Sequence, residues 1–314
     1  MEPQRRSLIS LQKGDGGTPL YLFHPAGGDV LCYKPLLEAL DNNIPVFGIE
    51  AEKPFETTEV VDDFEAVCTN YAHAIRTNQT EGSCYLAGWS LGGKIAFQVA
   101  WLLEHSGMTV SGVVMMDTIV KRREVSQEDP DTLAVFLGKI LDSPPEQVEH
   151  LFGTDFIPLH KRLKSLADDV GIEAFADMLE RGQDRLELEF DFENIHQEAL
   201  RQSYTTMVVT NRMAKQFIPK MLNAPIFSFW AQQTIAQGYD SNSWSPYSND
   251  ATSSNAEVLP GRHSDFVTGE NARVIGRALS DRLLHRWIQE RGYENVSFEP
   301  RIAMLQMIGT DNAQ

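Results

Sequence analysis

Residues 84–105 read "CYLAGWSLGGKIAFQVAWLLEH". Four apolar residues run into Gly88-Trp89-Ser90-Leu91-Gly92, a G-x-S-x-G turn. A helical repeat follows, with Ile95, Val99, Leu102 and Leu103 on one face. A strand that passes into a helix through so tight a turn leaves few folds open. The serine has to adopt strained dihedrals, with its hydroxyl standing above the edge of a sheet. Strand and helix crowd together around it, so the residues two before and two after must be small. Gly88 and Gly92 meet that demand, and Gly93 adds room. The context predicts an α/β fold with Ser90 as a nucleophile.

The segment also fits G-x-x-x-x-G-K, most of a phosphate-binding loop. That loop needs Ser or Thr after the lysine to hold magnesium. Here the residue is Ile95, and the interior of the loop is Trp-Ser-Leu rather than glycine-rich. The phosphate reading is set aside.

The rest of the chain supports a mostly parallel sheet. Strand-like runs at 20–23, 46–49, 84–87 and 110–116 alternate with helical patterns at 33–40, 61–75 and 94–105. Residues 121–220 hold only helical patterns, at 130–142, 144–152, 157–168, 170–181 and 193–217. Strand patterning returns at 224–230 and 257–259, and a last helix spans about 271–290. The expected organisation is an α/β core of 1–120 and 221–292, a helical lid inserted at 121–220, and a C-terminal tail of 293–314. Insertions over a sheet edge often serve as lids.

Charge and composition narrow the partners. The net charge of −17 disfavours nucleic acid and anionic membrane surfaces, which repel an acidic chain. No run approaches the ~18 apolar residues of a membrane span, and the start, MEPQRRSLIS, lacks the apolar region of a secretory signal. The expected location is cytoplasmic. Cys32, Cys68 and Cys84 have no metal-ligand spacing, so neither a metal site nor a disulfide framework is expected.

A serine nucleophile needs a base and an acid to orient that base. Among eight histidines, His263 follows Pro260-Gly261-Arg262 in a loop between a strand and the last helix. A loop-borne base above the sheet edge belongs there, so His263 is the expected general base. Asp117 ends the strand after the elbow helix, and Asp240 follows the 224–230 strand; position alone does not separate them as the acid. The oxyanion needs two aimed donors. The backbone N–H of Leu91 is one. The other is expected from the His24-Pro25-Ala26-Gly27-Gly28 loop, at Ala26 or, next, Gly27.

Taken together, "LYLFHPAGGDVLCYKPL", "YLAGWSLGGKIAFQVA", "VVMMDT" and "LPGRH" resemble the type I thioesterase domains that end nonribosomal peptide synthetases and modular polyketide synthases. The resemblance covers residues 18–120 well and 224–285 more loosely. It implies an α/β-hydrolase with a helical lid and no bound cofactor. The substrate is an acyl chain delivered on the 4'-phosphopantetheine of an acyl or peptidyl carrier protein. Ser90 would take the chain, and water or a group within the chain would release it as an acid or a ring. The family's acid follows the strand after the elbow, which selects Asp117 over Asp240. Met178, Leu179, Tyr204, Met207 and Val208 would either line a lid cavity or form the lid's own core, and Lys121-Arg122-Arg123 is either a solvated basic cluster or a contact for the acidic face or phosphate of a carrier protein. The rival readings are a free-standing esterase or lipase, a proofreading thioesterase and a non-catalytic binding module.

Overall fold

The structure, a computed structural model, describes residues 7–14, 17–51, 63–120, 206, 209–210, 213–254, 256–264 and 266–290. Most of the expected lid therefore lies outside the described residues. So do Met178, Leu179, Tyr204, Met207 and Val208, the basic cluster at 121–123 and the tail.

Among the described residues, seven strands form one sheet: β1 (Leu8–Lys13), β2 (Leu20–Phe23), β3 (Pro45–Ile49), β4 (Ser83–Trp89), β5 (Thr109–Met116), β6 (Ile226–Ala231) and β7 (Ala256–Leu259). Their order is β1-β3-β2-β4-β5-β6-β7. Only β1 runs antiparallel to its neighbour; the other pairs are parallel. This is the mostly parallel α/β sheet that the sequence predicts. The central strands are near-continuous apolar runs because helices cover both faces of the sheet.

Side-chain alternation sorts the core into two layers. Tyr21, Phe23 and Leu86 face α2 (Phe64–Asn78) and α3 (Leu91–His105). Leu20, Leu22, Tyr85 and Ala87 face the other layer, which holds α1 (Lys34–Leu37) and α5 (Gly269–Glu290). A short α4 (Gln232–Ala236) follows β6. Along α5 the buried apolar side chains among the described residues are Ala272, Ile275, Leu279 and Leu283, one stripe at helical spacing. The Asp63 carboxylate caps α2 by accepting from the Glu65 and Ala66 amides.

Three details depart from the sequence reading. The helix expected over 33–40 breaks into a 3-10 turn (Leu31–Tyr33), the single α turn of α1 and further turns. Pro35 sits at its start, and Leu40 N–H divides its bond between the Leu36 and Leu37 carbonyls. α3 begins at Leu91, directly after Ser90, not at Lys94. β1 was not anticipated: as a half-buried edge strand, LISLQK carries no continuous apolar run. Of the helical pattern at 193–217, residues 206, 209–210 and 213–214 are helical.

Candidate active site

The carboxyl ends of β4, β5 and β6 converge on one point. Ser90 follows β4 with φ 58° and ψ −120°, a left-handed backbone held by its N–H bond to Met116 C=O at 3.0 Å. Its neighbours explain the glycines. A Cβ on Gly88 would strike the Gly92 carbonyl group, one on Gly92 the Phe23 carbonyl oxygen, and one on Gly93 the Thr118 hydroxyl.

His263, in the loop after β7, lies with Nε2 2.9 Å from Ser90 Oγ and Nδ1 2.7 Å from Asp117 Oδ2. Asp117 directly follows β5 at φ 44° and is fully buried. Its Oδ1 accepts from Ala231 N–H at 2.9 Å, and its Oδ2 accepts from the Thr234 hydroxyl at 2.8 Å. An ionised carboxylate only accepts, so His263 Nδ1 carries the hydrogen and Nε2 is left to accept from the Ser90 hydroxyl. The Trp89 ring stands 5.5 Å from the His263 ring and covers one side of it. Asp240, the alternative acid, is exposed and turns back on its own loop, accepting from Asn242 N–H.

Leu91 N–H is the first amide of α3, and Ala26 lies in the turn after β2. Neither amide donates to another group among the described residues. Both segments are held from behind. The buried Tyr33 hydroxyl donates to Phe23 C=O at 2.7 Å and accepts from Trp89 N–H at 2.8 Å, so it joins the last residues of β2 and β4. Burial raises the Tyr33 pKa well above its usual value, which keeps that donor protonated. Buried His24 bonds through Nδ1 to Pro25 C=O at 2.7 Å and through Nε2 to the Tyr71 hydroxyl at 2.9 Å. The Thr210 hydroxyl donates to Ala26 C=O at 2.8 Å, and Thr206 fills the space beside Gly28.

His24, Tyr33, Tyr71 and Thr234 escape the sequence reading. Each is an isolated polar side chain whose partner is distant in the chain, and no local spacing announces such a pair. Cys68 and Cys84 are buried, and burial raises both thiols, Cys84 to about 12; neither is a poised nucleophile. Among the described residues, no helix is long and apolar enough to cross a membrane.

A family model described as a thioesterase domain matches residues 18–278. A dimodular nonribosomal peptide synthase of Bacillus subtilis (strain 168) is 25% identical over 279 residues, covering 88% of this chain and 11% of that protein. The chain spans between 2% and 12% of the length of the first three curated relatives it matches. Among solved structures, a holo four-domain nonribosomal peptide synthetase bound to AMP and glycine superposes with a TM-score of 0.67 at 24% identity. That match covers 89% of this chain and 20% of the synthetase. The NocB thioesterase domain, in covalent complex with a fluorophosphonate nocardicin G analogue, superposes with a TM-score of 0.57 at 17% identity. It covers 88% of this chain and 99% of that domain. These likenesses establish an α/β-hydrolase fold.

Proposed function

This chain belongs to the thioesterase domain family, and on that premise we propose that it releases a peptidyl or polyketide acyl chain from a carrier protein by way of an ester on Ser90. Membership of the family makes it a hydrolase. The observation that carries the finer reading is the unbroken contact Ser90 Oγ–His263 Nε2, His263 Nδ1–Asp117 Oδ2, at 2.9 and 2.7 Å.

In this reading the substrate is the acyl thioester of a carrier-borne phosphopantetheine. Ser90 Oγ attacks the thioester carbonyl while His263 Nε2 takes its proton. Asp117 steadies the imidazolium that forms, and three donors hold that carboxylate still. The carbonyl oxygen becomes an oxyanion, received by Leu91 N–H and Ala26 N–H. The intermediate collapses by breaking the C–S bond, and His263 returns the proton to the departing thiol. Water, or a hydroxyl or amine within the chain, then attacks the Ser90 ester with His263 again as base. Water yields the free acid, and an internal group yields a ring. A helical cover over 121–220 would exclude bulk water from the ester. The carrier protein is the partner and the cytoplasm the location that fit this chemistry.

The test pairs an acyl-pantetheine thioester with simple soluble esters. The chain should turn over the thioester with the higher kcat/KM, and a fluorophosphonate should label Ser90 and nothing in Ser90→Ala. A native protein that takes no label would revert the reading to a binding module. A clear preference for simple esters would make it an esterase.

A further inference from the structure

His24 is fully buried, yet the proposed chemistry leaves it without a task. The Pro25 carbonyl and the Ala26 N–H belong to one planar peptide unit and point in opposite directions. A group that holds the Pro25 oxygen therefore aims the Ala26 hydrogen. His24 Nδ1 is 2.7 Å from that oxygen, and a carbonyl cannot donate, so Nδ1 must carry hydrogen. Nε2 then has to be the acceptor, and the Tyr71 hydroxyl, 2.9 Å away on α2, is its donor. The Tyr71 ring stands edge-on to the imidazole at 5.8 Å. Burial lowers the His24 pKa to about 4, so the ring is neutral at working pH, as the relay requires.

We propose that His24 is a positioning residue for acyl transfer: held in one tautomer by Tyr71, its Nδ1–H fixes and polarises the Pro25–Ala26 peptide so that Ala26 N–H meets the oxyanion. The inference rests on the reading of Ser90 as nucleophile and of Ala26 N–H as an oxyanion donor. It goes beyond that reading by giving the site a second histidine relay, directed at the oxyanion instead of the nucleophile. A small misplacement of a donor costs up to about a hundredfold in rate, less than outright loss of one.

The experiment compares wild type, His24→Leu, His24→Asn and Tyr71→Phe. Fluorophosphonate titration counts active sites, so kcat is expressed per labelled serine and folding losses drop out. An aryl boronic acid, whose tetrahedral adduct on Ser90 imitates the oxyanion, supplies an inhibition constant. His24→Leu should lower kcat by about tenfold to a hundredfold with KM within about twofold, and should weaken boronate binding in parallel. His24→Asn, whose amide can donate as Nδ1–H does, should recover most of the loss. Tyr71→Phe should lose about threefold or more in both quantities. If His24→Leu yields no titratable sites, the Asn and Phe variants decide: a Tyr71→Phe chain equal to wild type overturns the proposal. So does a His24→Leu chain within twofold of wild type, or kcat losses that boronate binding does not follow. Failure of wild type itself to be labelled at Ser90 would sink the functional reading instead, so the two failures are distinguishable.

Discussion

At the scale of single residues, Asp117 and His24 are buried, and each polar atom of their side chains has a hydrogen-bond partner. Thr234→Val removes one donor from Asp117 Oδ2 while leaving His263 in place. The expected cost is about 1–3 kcal/mol in stability, from urea unfolding, and a fall in kcat of about tenfold. Asp117→Asn should be far harsher, lowering kcat by about three to four orders of magnitude in steady-state assays, because an amide no longer stabilises the imidazolium or the required tautomer. His24 gives a signature of a different kind. Its pKa is about 4 in the native chain against 6.5 for the free side chain, with burial the leading cause and the Pro25 carbonyl and Asp29 opposing it. Between those values the unfolded chain binds a proton that the native chain excludes, so stability falls as pH drops through the window. The contribution is fully present above about pH 6.5 and amounts to about 3 kcal/mol. Unfolding curves at pH 7 and pH 4 should therefore converge for His24→Asn more than for wild type.

At the scale of elements, the β4–turn–α3 unit was legible because its demands are local. Ser90, Gly88, Gly92 and the apolar run before them lie within a few positions, and one short stretch of sequence shows them all. Gly92 is where the first turn of α3 rests on the end of β2. Gly92→Ala would drive a methyl into the Phe23 and His24 carbonyls, both backbone atoms that cannot swing away. About 1–3 kcal/mol of destabilisation is expected, together with loss of fluorophosphonate labelling. The Tyr33 hydroxyl, which joins β2 to β4, was not legible, because Phe23 and Trp89 are brought to it only by the folded sheet. α4, one short turn inside "WAQQTIAQ", was hidden for a related reason. Five residues give no helical repeat, yet they deliver Thr234 to Asp117. β1 was missed because an edge strand buries only part of one face.

Over the whole molecule, one mostly parallel sheet gathers residues from distant parts of the chain at its carboxyl edge. Ser90 and His263 are 173 positions apart, and Asp117 and His263 are 146 apart, yet all three meet there. Sequence reading could name them because strand ends in a parallel sheet share one rim, so the order of elements predicts the meeting even without contacts. It could not choose between Asp117 and Asp240 by position, since both follow strands that reach that rim; the fold buries one against His263 and leaves the other exposed. Thr210, within the stretch expected as a lid, also reaches the loop after β2, where its hydroxyl donates to the Ala26 carbonyl. The central claim is that the acyl chain passes through an ester on Ser90. Mass spectrometry of peptides from protein quenched during turnover of an acyl-pantetheine thioester tests this directly. One adduct of the acyl mass is expected, on the peptide containing Ser90, with no adduct or turnover in Ser90→Ala. Turnover that persists in Ser90→Ala, or an adduct on another residue, would contradict it.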